Sequence, residues 1–255
     1  MTIFNKKVVG IDKVITPFNL LRKGDKNMKK WIFFDLDITL IDIKKAQYAA
    51  IEDLYNIYKF DSKTDLASFT KKWDELTDYH YAFYTRKEIS YDEQRNRRII
   101  DLFKEYDMPL DKTPKEIYSI YLKSFEDNWC LFDDVYNVLE KLYNSGYKLG
   151  VISNGDLEQQ TDKLSRTGIL KFFEVVTTSS EYDCSKPDPR LYESIIKRFN
   201  INKDQMLMVG DQVEKDVLPC LEIGIDAIWL NRKNKENSNN VKEVKSLNEL
   251  LNIEL

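Results

Sequence analysis

Trp31-Ile32-Phe33-Phe34-Asp35-Leu36-Asp37-Ile38-Thr39 runs an apolar stretch directly into two carboxylates, two residues apart. The apolar residues predict a strand over 31–36, buried on both faces. Residues i and i+2 of an extended chain share a face, so Asp35 and Asp37 point into one small space. Like charges that close repel unless a cation or a donor neutralises them. A divalent metal such as Mg²⁺ answers that need, because it takes hard oxygen ligands and keeps waters and substrate phosphate as the rest. Alone, an acidic pair after a strand also serves as a helix cap or turn former.

Three further segments bear on that choice. Val151-Ile152-Ser153-Asn154-Gly155 ends a second apolar run with a hydroxyl, an amide and a glycine. Ser185-Lys186-Pro187-Asp188-Pro189 sets a lysine in a stiff, proline-locked turn. Met206 to Val209 is a third apolar run, followed by Gly210-Asp211 and then Asp216. In order, these four resemble the signatures of the haloacid dehalogenase-like hydrolase superfamily: DxDxT, a strand-end Ser, a Lys, and GDxxxxD. The resemblance runs from about Lys30 to about Arg232.

The resemblance implies a phosphoryl-transfer site using Mg²⁺. Asp35 is then the nucleophile that forms an aspartyl-phosphate. Asp37 is the general acid for the leaving group and afterwards the base for water, with its backbone carbonyl on the metal. Asp211 is a third protein ligand, and Asp216 stands behind it, holding a metal-bound water or Lys186. Lys186 is either a cation stabilising Asp35 and the phosphoryl group together or a solvated surface lysine. Ser153 with the N–H groups of Asn154 and Gly155 is either a phosphate cradle or an ordinary strand-to-helix turn. Thr39 is either a further phosphate contact or a local cap. In the superfamily's dehalogenases the second aspartate position is not an acid, since halide leaves without a proton. Asp37 therefore resembles the phosphatase branch. The phosphonate-cleaving branch needs a Schiff-base lysine from the cap, and no cap lysine here is marked out by an apolar setting.

Composition excludes other chemistries. His80 is the only histidine, which removes Ser-His-Asp and Cys-His catalysis and any His-rich metal site. Cys130, Cys184 and Cys220 are odd in number and widely spaced without a CxxC, which fits a reducing cytosol and no zinc site. No run of apolar residues reaches membrane-spanning length, and the N-terminus lacks a signal-peptide pattern. The expectation is a cytoplasmic protein, monomer or homodimer, whose partner is a small phosphorylated metabolite rather than nucleic acid or membrane. The net charge of −4 is uneven, since residues 1–30 carry eight Lys/Arg and two Asp/Glu. We read residues 1–27 as a basic N-terminal extension without chemistry, Met28 being a natural start for this superfamily.

The fold class expected is α/β. From about residue 130, strands (148–152, 174–178, 206–209, 226–230) alternate with helices (133–145, 157–167, 189–199, 213–222), which implies a parallel sheet covered on both faces. Leu247, Leu250 and Leu251 suggest a closing helix. Between Gly24 and Pro109 there is neither glycine nor proline. There Ala46, Ala50, Leu54 and Ile57 recur at helical spacing, as do Leu66, Phe69, Trp73 and Leu76, then Ile99, Leu102, Phe103 and Tyr106. Together with the resemblance, this predicts a Rossmann-like core (28–43 and 128–255) and an inserted all-helical cap (44–127), hinged at Ile41 to Lys44 and Asp127 to Leu131.

Cap residues are expected to set the substrate. Trp73, Tyr79, Tyr81, Phe83 and Tyr84 lie beside Arg86 and Lys87, where aromatics could stack on a base and cations meet a second anion; the alternative is packing between helices. Arg95 and Arg98 are read as a solvated face. The long helical cap and the Ser-Asn-Gly wording resemble the pyrimidine 5′-nucleotidase and N-acylneuraminate 9-phosphatase branches. A nucleoside 5′-monophosphate or sugar phosphate is the expected substrate. The other readings are a phosphomutase, which shares the core residues, and a catalytically silent metabolite-binding module, whose mark would be a lost nucleophile or ligand.

Overall fold

In the computed structural model, which describes residues 30–253, six parallel strands form one sheet in the order β3-β2-β1-β4-β5-β6. They are β1 (Trp31–Phe34), β2 (Lys148–Ser153), β3 (Phe173–Thr178), β4 (Met206–Gly210), β5 (Asp226–Leu230) and β6 (Glu243–Val244). The chain is α/β with a Rossmann-like arrangement. The strand order reverses direction at β1 and β4, the place where such sheets open a crevice at their carboxyl ends. The register Phe34↔Val151 and Phe34↔Val209 brings the ends of β1, β2 and β4 level, so Asp35, Ser153 and Asp211 emerge together. The basic extension 1–27 lies outside the described residues. Among the described residues, no helix is long and apolar enough to cross a membrane.

Alternation along the strands feeds two cores. Ile32 and Phe34 join Val138, Leu139 and Leu164 on one face, under α5 (Val135–Asn144) and α6 (Leu157–Arg166). Phe33 joins Leu191, Ile195 and Cys220 on the other, under α7 (Pro189–Phe199) and α8 (Leu218–Glu222). Both faces being buried explains why β1 is apolar throughout rather than alternating.

The expected helix 213–222 is two pieces: a π-helical turn at Val213–Val217, then α8. Pro219 has no N–H to give the Lys215 carbonyl, which accepts the Tyr192 hydroxyl instead (2.8 Å). The predicted strand 31–36 stops at Phe34, because the Leu36 carbonyl turns back to accept the N–H groups of Leu40 and Ile41. The closing helix is a 3₁₀ segment, Leu247–Asn252, and strand β6 carried no sequence signal of its own.

Between β1 and α5 lie four α-helices: α1 (Ile43–Ile57), α2 (Leu66–Thr85), α3 (Tyr91–Glu105) and α4 (Pro114–Asp127). Side chains of Asp65, Ser90 and Thr113 cap the last three, Thr113 in a full capping box followed by Pro114. Their own apolar cluster includes Leu54, Phe60, Phe69, Trp73, Phe103 and Tyr121. Ile57 departs from its predicted inward face and is exposed. The two linkers to the sheet run side by side, Ile41 bridging Leu131 and the Asp42 N–H donating to the Cys130 carbonyl (2.9 Å).

The solvated face expected of Arg95 and Arg98 is not found. Arg98 is buried, its guanidinium 5.3 Å from the Trp73 ring and bonded to the Gln94 amide (2.7 Å). Arg95 lies over Tyr91 at 4.0 Å. Aromatic faces supply what the helical pattern alone did not show. His80 is also buried, paired with Asp101 (2.8 Å).

Candidate active site

Asp35 leaves β1 with its N–H still donating to the Val209 carbonyl (2.9 Å), so the sheet fixes its backbone. The Lys186 ammonium donates to Asp35 Oδ1 (2.6 Å), Asp216 Oδ1 (2.7 Å) and the Ile152 carbonyl (3.1 Å). Lys186 is buried, and the solvated-lysine reading fails. Burial opposes its charge, but the Asp35 and Asp216 carboxylates outweigh burial and hold the ammonium above its ordinary range. The Asn154 side chain grips the Lys186 backbone from both sides, accepting its N–H (2.9 Å) and donating to its carbonyl (3.0 Å). Thr39 is no local cap, since its hydroxyl donates to Asp35 Oδ2 (3.0 Å).

Asp211 and Asp216 come from the β4 end. A side chain at Gly210 would put its Cβ 2.4 Å from that of Asp216, so only glycine lets the turn close this tightly. Both Asp216 oxygens are engaged, one by Lys186 and the other by the Gln212 N–H (3.0 Å). Asp211 differs: its Oδ1 is buried and has no partner among the described residues. Burial, then the Asp35 and Asp216 charges, push its carboxyl up to about 7. Ligand oxygens of Asp35, Asp211 and Asp216 all lie within 4.8 Å of one another. Three carboxylates facing one ammonium leave negative charge unbalanced, and an all-oxygen donor set fits a hard divalent cation. A cavity of about 270 Å³ opens beside Asp211, lined among others by Ile38, Lys44, Phe132, Trp229 and Arg232.

Asp37 stands apart from this cluster. Its carboxylate is gripped through both oxygens by Lys163 Nζ (2.7 and 2.9 Å), and Gln160 Nε2 lies 3.4 Å away. The turn that aims it holds Ile38 at φ 70°, a costly conformation for a β-branched residue. Ser153 accepts from Gln160 Nε2 (2.9 Å). Of the two backbone N–H groups expected to complete its cradle, that of Gly155 is already given to Ser179 Oγ (3.2 Å).

Sequence reasoning missed Lys163, Gln160 and Arg232. Gln160, Lys163 and Leu164 form the buried face of α6, and two polar residues at inward positions of an amphipathic helix were the available signal. Arg232 fastens the Thr39 carbonyl (3.1 Å) to Asp134 (2.8 and 2.9 Å). Among the aromatics expected to face substrate, Trp73 is in the helical core, whereas Tyr79 and Tyr81 are exposed. Arg86 is taken up by Glu88, through Nε (2.5 Å) and Nη2 (3.3 Å).

The chain belongs to the haloacid dehalogenase-like hydrolase family, whose profile matches residues 32–230. Among characterised relatives, it is 28% identical over 227 residues to the pyrimidine 5′-nucleotidase PynA of Streptococcus pneumoniae, covering 87% of this chain and 93% of that one. It is 28% identical over 206 residues to the glyceraldehyde 3-phosphate phosphatase of Pyrococcus abyssi, covering 79% and 81%. In fold it resembles the HAD-hydrolase YfnB of Bacillus subtilis, solved bound to magnesium, with a TM-score of 0.70 at 22% identity over 89% of this chain and 100% of that one.

Proposed function

We propose that this hydrolase is a Mg²⁺-dependent phosphatase that cleaves a small phosphomonoester through an aspartyl-phosphate on Asp35. The observation that carries the reading is the buried Lys186 ammonium joining Asp35 to Asp216, beside an Asp211 oxygen without a partner among the described residues. Relatives named as a pyrimidine 5′-nucleotidase and a glyceraldehyde 3-phosphate phosphatase support it, and they make nucleoside 5′-monophosphates and small sugar phosphates the first substrates to try. A cytoplasmic protein acting on a soluble metabolite suits this reading.

An Asp35 oxygen attacks phosphorus as the bond to the leaving oxygen breaks, and Asp37 gives that oxygen its proton. Asp37 then takes a proton from the water that attacks phosphorus, which frees Asp35 and releases inorganic phosphate. Lys186 and Thr39 hold Asp35 in line, and Ser153 meets the phosphoryl oxygens. Asp35, Asp211 and the Asp37 carbonyl would hold Mg²⁺, with Asp216 behind them, and the ion would neutralise phosphoryl charge. The helical segment 44–127 acts as a cap, closing over the crevice on the paired linkers near Ile41 and Leu131. The test is release of inorganic phosphate from a panel of nucleoside monophosphates and sugar phosphates with Mg²⁺. No release from any of them would defeat the reading.

Asp37→Asn separates proton transfer from nucleophilic attack. Its rate should fall about 10²–10⁴-fold on alkyl phosphates and far less on nitrophenyl phosphate, whose leaving group needs no proton. An equal loss on both would count against Asp37 as the acid.

The raised Asp211 carboxyl links metal to stability. Between its ordinary value of 3.8 and about 7, this group binds more proton in the folded chain than in the unfolded one. The metal-free protein should therefore lose stability as pH rises through that window. Mg²⁺ takes the ionised form, so the rise in melting temperature on adding Mg²⁺ should be larger at pH 8 than at pH 5. Asp211→Asn should flatten the difference. A Mg²⁺ shift equal at both pH values in the unaltered protein would contradict the assignment of Asp211 as a ligand.

A further inference from the structure

Helix α6 reaches Ser153, Asp37 and the linker that follows α4. One turn from its start, Gln160 Nε2 bridges Ser153 Oγ (2.9 Å), the Asn154 carbonyl (3.2 Å) and Asp37 (3.4 Å). One turn further, Lys163 is 3% exposed and spends its ammonium on both oxygens of Asp37. On the same helix, Arg166 pairs with Asp127 (2.7 Å) at the end of α4. Between the two cations lies Trp129, its ring 5.5 Å from Lys163 Nζ and 5.3 Å from the Arg166 guanidinium. Trp129 belongs to the linker that returns the chain from the four helices to the sheet, and its buried indole N–H has no partner among the described residues. The side chain holding Asp37 is thus roofed by the linker that would move when a cap closes.

We propose that Lys163 is a positioning residue for Asp37. In the resting enzyme it holds the Asp37 carboxylate through both oxygens. Movement of the Trp129 linker then frees one oxygen, which takes up a proton from solvent water and gives it to the leaving oxygen. The inference rests on the reading of Asp37 as general acid. Lys163 itself exchanges no proton with substrate or water; it sets where the Asp37 carboxyl sits when the transfer occurs. A structural ion pair would predict something else. The Asp37 side chain is 38% exposed, so water can solvate it once the ammonium is gone, and the fold should survive Lys163→Met.

The experiment compares Lys163→Met, Lys163→Arg and Asp37→Asn with the unaltered protein on an alkyl phosphate and on nitrophenyl phosphate, all with saturating Mg²⁺. Lys163→Met should lose kcat about 10²-fold on the alkyl substrate, the scale of an ångström-sized misplacement, and far less on nitrophenyl phosphate. KM should move little, and Lys163→Arg should restore most of the rate. If Lys163→Met instead slows both substrates equally, or neither, while Asp37→Asn shows its leaving-group dependence, the proposal for Lys163 is overturned and the acid assignment stands. A flat Asp37→Asn profile would overturn both. If Lys163→Met does not fold, Lys163→Arg carries the decision: near-normal kcat on both substrates supports the proposal, and a loss as large on nitrophenyl phosphate as on the alkyl substrate refutes it.

Discussion

Replacing Asp35 with Asn is expected to remove turnover by roughly 10⁶-fold, the scale seen when a covalent nucleophile is deleted, in a chain that stays folded. The amide keeps the size and one carbonyl oxygen for Lys186, but it cannot form an acyl phosphate. The site it leaves behind is less crowded with negative charge. Lys186 retains Asp216 at 2.7 Å, and Asp211 loses one of the neighbours that raise its carboxyl. Thermal stability without metal should therefore hold or rise. Circular dichroism melts alongside phosphate release would check both halves. Appreciable turnover in a clean Asp35→Asn preparation would refute the nucleophile assignment.

Lys186→Met is expected to do the opposite to stability while also ending catalysis. Its ammonium is the cation bonded to both buried carboxylates, and methionine fills similar volume without charge. Removing one member of a buried pair typically costs about 3–5 kcal/mol, because the remaining charge is left uncompensated. Here two carboxylates are stranded rather than one. The loss should be greatest near neutral pH in the absence of metal. It should shrink at pH 5, where Asp216, its carboxyl pushed up to about 6 by burial and the Asp35 charge, can protonate, and shrink again with Mg²⁺. Chemical denaturation of Lys186→Met at pH 5 and pH 7.5, with and without Mg²⁺, measures this. Equal destabilisation under all four conditions would show that lost packing, not charge, is responsible.

How much of this was legible in the sequence follows from what each signal depends on. The strand-end residues Asp35, Ser153 and Asp211 could be placed because apolar runs fix the strands and short connections fix the order. Lys186 was legible only through its motif; nothing in its local sequence shows an ammonium buried among carbonyl and carboxylate oxygens. Lys163 and Gln160 were not singled out, because their meaning lies in pairs separated by 126 and 123 residues. The Asp37 carboxylate looks from sequence like a partner of Asp35, since i and i+2 share a face in a strand. The strand ends at Phe34, however, and the turn through Ile38 at φ 70° lets Asp37 bond across to α6 instead. Arg86 pairs with Glu88 two residues on, and the solvated Arg98 yielded to aromatic faces brought from α2 and α4. Helical periodicity reports which face is inward, but not which cations aromatic rings will shelter.

Acid quench during turnover, followed by peptide mass spectrometry, tests directly whether the phosphoryl group passes through Asp35, because an acyl phosphate survives acid long enough to be mapped. A phosphoryl group on the peptide carrying Asp35, appearing within the first turnover and absent from Asp35→Asn, is the predicted result. Full turnover with that peptide unmodified at every quench time, or with the phosphoryl group on another residue, would contradict it.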